Sequence, residues 1–188
     1  MFRALSLLLL FPTSTIALEK DVSNAVESVA GIYSSIYVHE VGHALVFKAL
    51  GASEINIEVP RRGTLLSGQA SAKFSRPPTQ GEMRLVSVAG LASANLAAEF
   101  VLQRDGLHRS AYAQAVLGTA LISNLIHVAH YYTKIRGVGG YPGNDIDQYE
   151  LAGGNPHVMS ALLLGYTALS MRRMQKKEIP LFYVNMRF

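Results

Sequence analysis

The hydrophobic pattern of the first quarter of the chain predicts one long α-helix. Between residues 22 and 50, apolar side chains recur at three- and four-residue intervals, the period of a helix with a buried face. Asp21 or Ser23 is the expected N-cap and Gly51 the expected C-cap, because these residue types satisfy the free backbone groups at helix ends. We therefore expect the helix to begin near residue 22 and to end before Gly51.

The residues after this helix alternate as they do in a β-hairpin. In the segment EINIEVP, Ile55, Ile57 and Val59 alternate with polar neighbours, which is the pattern of a half-buried strand. The RRG sequence that follows predicts a turn, and TLLSGQASAKF can return as the second strand. The Pro-Pro pair and the glycine of SRPPTQGE then predict a loop.

Three further apolar segments, residues 85–102, 111–132 and 158–171, predict helices. Residues 111–132 contain no Asp, Glu, Lys or Arg, and at ~1.5 Å per residue they can cross ~30 Å of hydrocarbon. Residues 85–102 just reach that length, whereas residues 158–171 suit a tilted or partly embedded helix. The alternative is a soluble bundle in which all three are core helices. We expect a mainly α fold: a helical, membrane-embedded bundle with a small β-hairpin after the first long helix, and hence a multi-pass integral membrane protein.

The composition favours the membrane interpretation. Hydrophobic residues make up 49% of the chain and charged residues 16%, well below the ~25% charged residues of soluble domains, so membrane lipid is an expected partner. The net charge of +4 is carried by short basic clusters, which suit lipid headgroups better than a nucleic-acid groove, and we expect no nucleic-acid partner. Residues 1–17 have the layout of a secretory signal peptide or a short N-terminal anchor, and residues 18–188 have the length of a single domain.

Side chains suited to catalysis are concentrated in the sequence HEVGH, residues 39–43. The chain contains no cysteine, so a metal would need His, Asp or Glu ligands. His39 and His43 are four residues apart and lie on one face of a helix, where both imidazoles can bind one tetrahedral zinc ion. Glu40 can reach a water molecule on that ion without binding the ion and can act as the general base. This spacing is the signature of a metallopeptidase helix.

A catalytic zinc ion needs a third protein ligand and keeps one open position. Asp145 is the preferred candidate, since it follows a glycine-rich stretch that lets the backbone come close to a metal. A competing interpretation makes Asp145 the N-cap of a helix that starts at residue 146. The other candidate ligands are Asp147, Glu99 and the pair His127 and His130.

The motifs resemble those of the site-2 protease group of intramembrane zinc metalloproteases. The likeness is carried by SIYVHEVGHALVFKALGA, INIEVPRRG, LVSVAGLASANLAAEF, LISNLI and GYPGNDID, which together span about residues 30–155. The resemblance implies a full set of site residues: Glu40 as the base, His39, His43 and Asp145 as zinc ligands, and Asn95 and Asn124 as residues that position the substrate strand.

A second resemblance is to the zinc peptidase domain of membrane-bound AAA proteases. In that domain a similar helix is followed by an IxIxPRG segment and by an Asn-Asp-Ile sequence whose Asp binds zinc. The corresponding segments here are INIEVPRRG and NDI. No phosphate-binding loop of the G-x-x-x-x-G-K-[ST] type occurs in the chain, so we expect no nucleotide partner.

These observations predict a zinc-dependent endopeptidase that hydrolyses peptide bonds of membrane or membrane-proximal proteins, with a protein or peptide substrate as its partner. One alternative is a non-catalytic membrane protein with a structural metal site. The other is a soluble secreted zinc peptidase in which residues 111–132 form a core helix. The position of Glu40 favours the enzyme, because a purely structural site has no need of a base.

Overall fold

The computed structural model describes residues 11–133 and 144–181, with side chains from residue 19 onward. Within these residues the fold is mainly helical with a small antiparallel sheet of two strands, which confirms the predicted fold class. The elements, in chain order, are α1 (Phe11–Ala49), β1 (Ser53–Glu58), β2 (Gln69–Lys73), α2 (Gln80–Gln103), a 3-10 turn (Leu107–Arg109), α3 (Ala111–Thr133), α4 (Asp145–Leu151) and α5 (Pro156–Lys176).

Helix α1 begins earlier than the sequence predicted. It runs without a break from Phe11 through Asp21 and Ser23, so neither residue is the N-cap and that prediction is wrong. The segment between Phe11 and Asp21 contains no glycine, and its one proline is the second residue of the helix, where a missing N–H costs no hydrogen bond. The predicted leader, residues 1–17, overlaps this helix. Its first ten residues lie outside the described part of the chain, and its removal stays a prediction.

The C-terminus of α1 is capped as predicted, by Gly51. This residue has a φ of 77°, a left-handed conformation that glycine adopts without steric cost. Gly51 N–H donates to Lys48 O and Ala52 N–H donates to Phe47 O, both at 3.0 Å. These two bonds are the pattern of a Schellman C-cap, and they turn the chain directly into β1.

Strands β1 and β2 form the predicted antiparallel hairpin, with Ile57 opposite Ala70. The second strand is shorter than expected, because TLLS belongs to the connecting loop. The carbonyl of Leu65 in that loop accepts a hydrogen bond from Tyr33 Oη on α1 at 3.1 Å, so this part of the loop is bonded to α1 and not to the other strand. The hairpin therefore lies back along α1.

Helices α1, α2 and α3 pack against one another. The centre of the core is formed by side chains of α2 and α3 that are at most 1% exposed: Ala98, Leu102, Leu117, Ala120 and Leu121. Helix α1 approaches α2 closely at Gly42, where a Cβ atom would lie 2.4 Å from Ala89 O. No larger residue fits at that distance, and the close crossing places the HEVGH segment directly against α2.

Two helices in the described part of the chain, α2 and α3, are long and apolar enough to cross a membrane, with 24 and 23 residues. This agrees with the length and composition expected of the first two spans, although the core helix of a soluble protein can meet the same criteria. Helix α5 is 21 residues long and ends in the basic sequence RRMQK. It is not one of the two candidate spans.

Candidate metal centre

Two histidines of α1 and one aspartate of α4 meet at the predicted site. His39 and His43 are one helical turn apart, and their Nε2 atoms lie 3.1 Å from each other. Asp145, the first residue of α4, places Oδ2 3.1 Å from His39 Nε2 and Oδ1 3.4 Å from His43 Nε2. The fold therefore brings together three predicted ligands from elements that are far apart in the sequence.

The spacing of these donor atoms fits a zinc ion. Ligands bonded at ~2.0–2.1 Å to a tetrahedral ion lie roughly 3.3 Å apart. The two Nε2 atoms are 3.1 Å apart, and each lies 3.1 or 3.4 Å from a different oxygen of the Asp145 carboxylate. Among the described residues, Asp145 Oδ2 accepts no hydrogen bond of good geometry although it is buried, which is expected of an oxygen that faces a metal. Two imidazoles and a carboxylate are also ligand types that zinc binds.

Helix α2 leaves room for the donor atoms at Gly90. A Cβ atom on this residue would lie 2.3 Å from His43 Nε2 and 2.7 Å from His39 Nε2, so no side chain fits there. One turn earlier on the same helix, Val86 O lies 2.8 Å from His43 Nδ1. Because a carbonyl oxygen only accepts, we assign the proton to Nδ1, which leaves the lone pair of Nε2 for a metal.

Asn144 holds Asp145 in position at the start of α4. Its Oδ1 accepts hydrogen bonds from Ile146 N–H at 2.9 Å and from Asp147 N–H at 3.0 Å. Its Nδ2 donates to His127 O on α3 at 3.0 Å. Asn144 is therefore the N-cap of α4, which overturns the interpretation that Asp145 caps this helix. The carboxylate of Asp145 is left to face the two histidines of α1.

The electrostatic environment keeps Asp145 in the form that binds a metal. Burial by itself would raise the pKa of its carboxyl group, but the ring of His39 beside it holds that pKa well below its usual value. The group is thus a carboxylate at neutral pH, and a carboxylate is the form that ligates zinc.

Glu40 lies beside the ligand His39. In the described part of the chain, the residues whose donor atoms are close enough to hold a metal ion are His39, His127 and Asp145, and Glu40 is not one of them. It is 6% exposed, and burial raises the pKa of its carboxyl group. Ala70 N–H on β2 donates a hydrogen bond to that group. A Cβ atom on Gly68 would lie 2.7 Å from Glu40 Oε1, so the chain just before β2 closes over the carboxyl. The hairpin therefore fixes a buried acid next to the candidate metal position.

His127 on α3 joins the same cluster. Donor atoms of His39, His127 and Asp145 all lie within 4.8 Å of one another, so this group could hold a metal ion. His43 is not a member of this group, and its place at the site rests on its distances to His39 Nε2 and Asp145 Oδ1. The sequence marked His127 only together with His130, because histidines three residues apart share a helix face. Both line the cavity described below, but of the two only His127 belongs to the described metal-binding group.

The two other candidate carboxylate ligands, Glu99 and Asp147, do not belong to the candidate metal centre. Glu99 accepts hydrogen bonds from Arg173 Nη1 at 2.7 Å and Nη2 at 2.9 Å, and one from Gln103 Nε2 at 2.8 Å. It joins α2 to α5 through an ion pair. Asp147 is not a member of the metal-binding group in the described part of the chain. The geometry therefore favours Asp145 over both.

Asn95 and Asn124 form a reciprocal amide pair between α2 and α3. Asn95 Nδ2 donates to Asn124 Oδ1 at 3.3 Å, and Asn124 Nδ2 donates to Asn95 Oδ1 at 2.9 Å. Asn124 Nδ2 also donates to Thr167 Oγ1 of α5 at 3.1 Å. Neither asparagine is among the residues that line the cavity. The structure thus gives them an interhelical role, and their contact with substrate stays a prediction.

A cavity of about 680 Å³ opens beside the cluster, which is in the range of protein sites that enclose small ligands or a short peptide segment. It is bounded by α1, α2, α3, α4 and the hairpin. Its apolar walls come chiefly from α1 and α3: Ile32, Ile36, Ile122 and Ile126. The metal ligands and Glu40 also line the cavity, so it places apolar walls and the reactive groups around one space.

No known protein family, curated protein or solved structure matches the chain in the comparisons made. The resemblances to site-2 proteases and to the zinc domain of AAA proteases are carried by the motif residues alone. Membership of either family therefore stays a prediction.

Proposed function

We propose that the chain is a zinc-dependent endopeptidase of membrane or membrane-proximal proteins. The observation that carries this proposal is the cluster of His39 Nε2, His43 Nε2 and the two carboxylate oxygens of Asp145, with nitrogen–nitrogen and nitrogen–oxygen distances of 3.1–3.4 Å and the buried carboxyl group of Glu40 beside it. Three protein ligands leave one position open, as in catalytic zinc sites. Structural zinc sites are instead closed by four ligands.

Glu40 supports a hydrolytic reaction. When bound, zinc would polarise the substrate carbonyl and lower the pKa of a water molecule. A base close to the ion is then needed to accept the proton of that water and to pass it to the leaving amine. Glu40 adjoins the ligand His39, faces the same cavity and has a raised pKa, which suits a group that takes up and then releases a proton.

The hairpin supports a peptide substrate. Gly68, Gln69 and Ala70 line the cavity, and Ala70 N–H donates to Glu40, so an edge of β2 faces the reactive centre. An extended peptide can add to such an edge through backbone hydrogen bonds. A helical segment would have to unfold before cleavage, because its carbonyls are bonded within the helix.

The surface of the two candidate spans supports a membrane location. Large apolar side chains on α2 and α3 that do not line the cavity are exposed: Leu96 is 70% exposed, Phe100 56% and Leu125 41%. Their burial in lipid would remove this apolar surface from water. We propose that α2 and α3 cross the bilayer and that the cavity between them and α1 shields the scissile bond.

The proposal predicts metal-dependent peptide hydrolysis by the purified full-length chain in detergent. Incubation with a degenerate peptide library should release new α-amino groups, because an endopeptidase creates one per cleavage. Removal of zinc with 1,10-phenanthroline should stop the release, and added zinc should restore it. A zinc-loaded chain that releases no amino groups from the library or from solubilised membrane proteins would contradict the proposal. Release that is unaffected by complete metal removal would contradict it as well.

A further inference from the structure

One histidine of the site, His127, is neither one of the three proposed ligands nor the proposed base. His127 lines the cavity together with Glu40 and Asp145, and its donor atom lies within 4.8 Å of those of His39 and Asp145. Its Nδ1 atom is buried and has no hydrogen-bond partner among the described residues. Leaving a buried polar atom unpaired costs free energy, so the partner is expected to come from a molecule that the site binds.

The orientation of His127 differs from that of the two helical ligands. The rings of His39 and His43 meet edge-on, with planes 76° apart and centroids 4.9 Å apart. The ring of His127 is instead stacked on that of His39, with planes 29° apart and centroids 5.7 Å apart. The ring of His127 therefore approaches the centre in a different orientation from the edge-on pair of His39 and His43. If His127 flanks the centre and does not ligate, the fourth position stays open, as a catalytic zinc requires.

Glu40 and His127 approach the centre from different elements. Glu40 is held on the hairpin side by the N–H of Ala70. His127 lies on the α3 side, where its backbone carbonyl accepts the hydrogen bond from Asn144 Nδ2. An amide bound in the cavity would thus have a proton acceptor on one side and a hydrogen-bond donor on the other.

We propose that His127 is a catalytic residue that donates a hydrogen bond to the carbonyl oxygen of the scissile amide. This inference rests on the proposed peptidase function and adds a residue to it. A neutral imidazole carries one N–H, so the donation needs no change in the charge of the ring. A fixed donor at that oxygen stabilises the negative charge that develops there during attack on the carbonyl.

The test uses the full-length chain in detergent, loaded with Co²⁺ and titrated with acetohydroxamate, whose carbonyl oxygen stands in for that of the substrate. Wild type is compared with His127→Ala, His127→Asn and the matched control His157→Ala, because His157 is an exposed histidine that does not line the cavity. All four should bind Co²⁺ with the same visible absorption spectrum before ligand is added. Acetohydroxamate should bind about 10–100-fold more weakly to His127→Ala, the usual loss for a hydrogen bond to a charged group. The Asn variant, which keeps an N–H donor, should recover part of this loss, and the control should bind as wild type does.

Two outcomes overturn the role given to His127 while the proposed function stands. Loss of Co²⁺, or a changed spectrum of the ligand-free His127→Ala protein, would make His127 a metal ligand. Equal acetohydroxamate affinity in wild type and His127→Ala would make it a packing residue. A wild-type chain that binds neither Co²⁺ nor Zn²⁺ would overturn the metal site itself, and with it both the proposed function and this inference.

Discussion

Replacement of Asp145 by alanine is expected to weaken zinc binding by at least about 100-fold, because loss of an outer-shell partner alone costs about 10–100-fold. The variant keeps both histidines of α1, but two imidazoles without the carboxylate leave the ion with a single type of donor and less negative charge. Asn144 still caps α4 through its bonds to the next two N–H groups, so the helix should persist. Competition with a chromophoric chelator measures the affinity of the full-length chain.

Asp147→Ala is the matched control for this experiment. Asp147 lies on the same short helix, two residues further on, and is not a member of the described metal-binding group. Its loss should leave zinc affinity unchanged within about twofold, because it removes no donor atom of that group. If the control and Asp145→Ala lose zinc equally, the effect belongs to α4 as a whole, and the assignment of Asp145 as a ligand is wrong.

Glu40→Gln is expected to abolish hydrolysis while the metal stays bound. Gln has nearly the same shape, and its carbonyl oxygen can still accept the hydrogen bond from Ala70 N–H, but it cannot take up a proton. Loss of a general base lowers the rate by about 10²–10⁴-fold. Release of α-amino groups from the peptide library measures the rate, and zinc content measured on the same samples shows whether the site is intact.

Glu54→Gln makes the same chemical change away from the site. Glu54 pairs with Lys73 on the exposed surface of the hairpin, and exposed pairs contribute little to stability. Both activity and zinc content should match those of wild type. A Glu40→Gln variant that loses its zinc would show Glu40 to be a ligand. One that keeps its activity would show that another group is the base.

Much of the fold follows from local pattern in the sequence. The helical period of residues 22–50, the alternation of EINIEVP and the apolar segments predict α1, the hairpin, α2, α3 and α5 with correct types. The glycine at position 51 correctly predicts the end of α1, because a left-handed cap is a local property of the backbone. The sequence pattern predicts the start of α1 too late, because a helix continues through polar residues when nothing interrupts its hydrogen bonds.

The residues of the site that share one helix were the most predictable. His39, Glu40 and His43 follow from the spacing of a single turn. The glycine-rich approach favours Asp145 in the sequence, but its competition with Asp147 and Glu99 is decided by the packing of α4 against α2 and α3 and by the ion pair of Glu99 with Arg173. The role of Asn144 as the cap had no clear signal beside Asp145, because both residue types are good caps. The position of His127 depends on how α3 packs against α1, and sequence spacing along α3 alone contains no such information.

The zinc content of the wild-type chain, purified without added metal, tests the central claim most directly. Elemental analysis combined with X-ray absorption at the zinc edge gives both the stoichiometry and the ligand types. The site described here predicts about one zinc ion per chain, bound by nitrogen and oxygen donors at roughly 2.0–2.2 Å. A chain that contains no zinc, and takes up none when zinc is supplied, would contradict the metal centre and the peptidase function that rests on it.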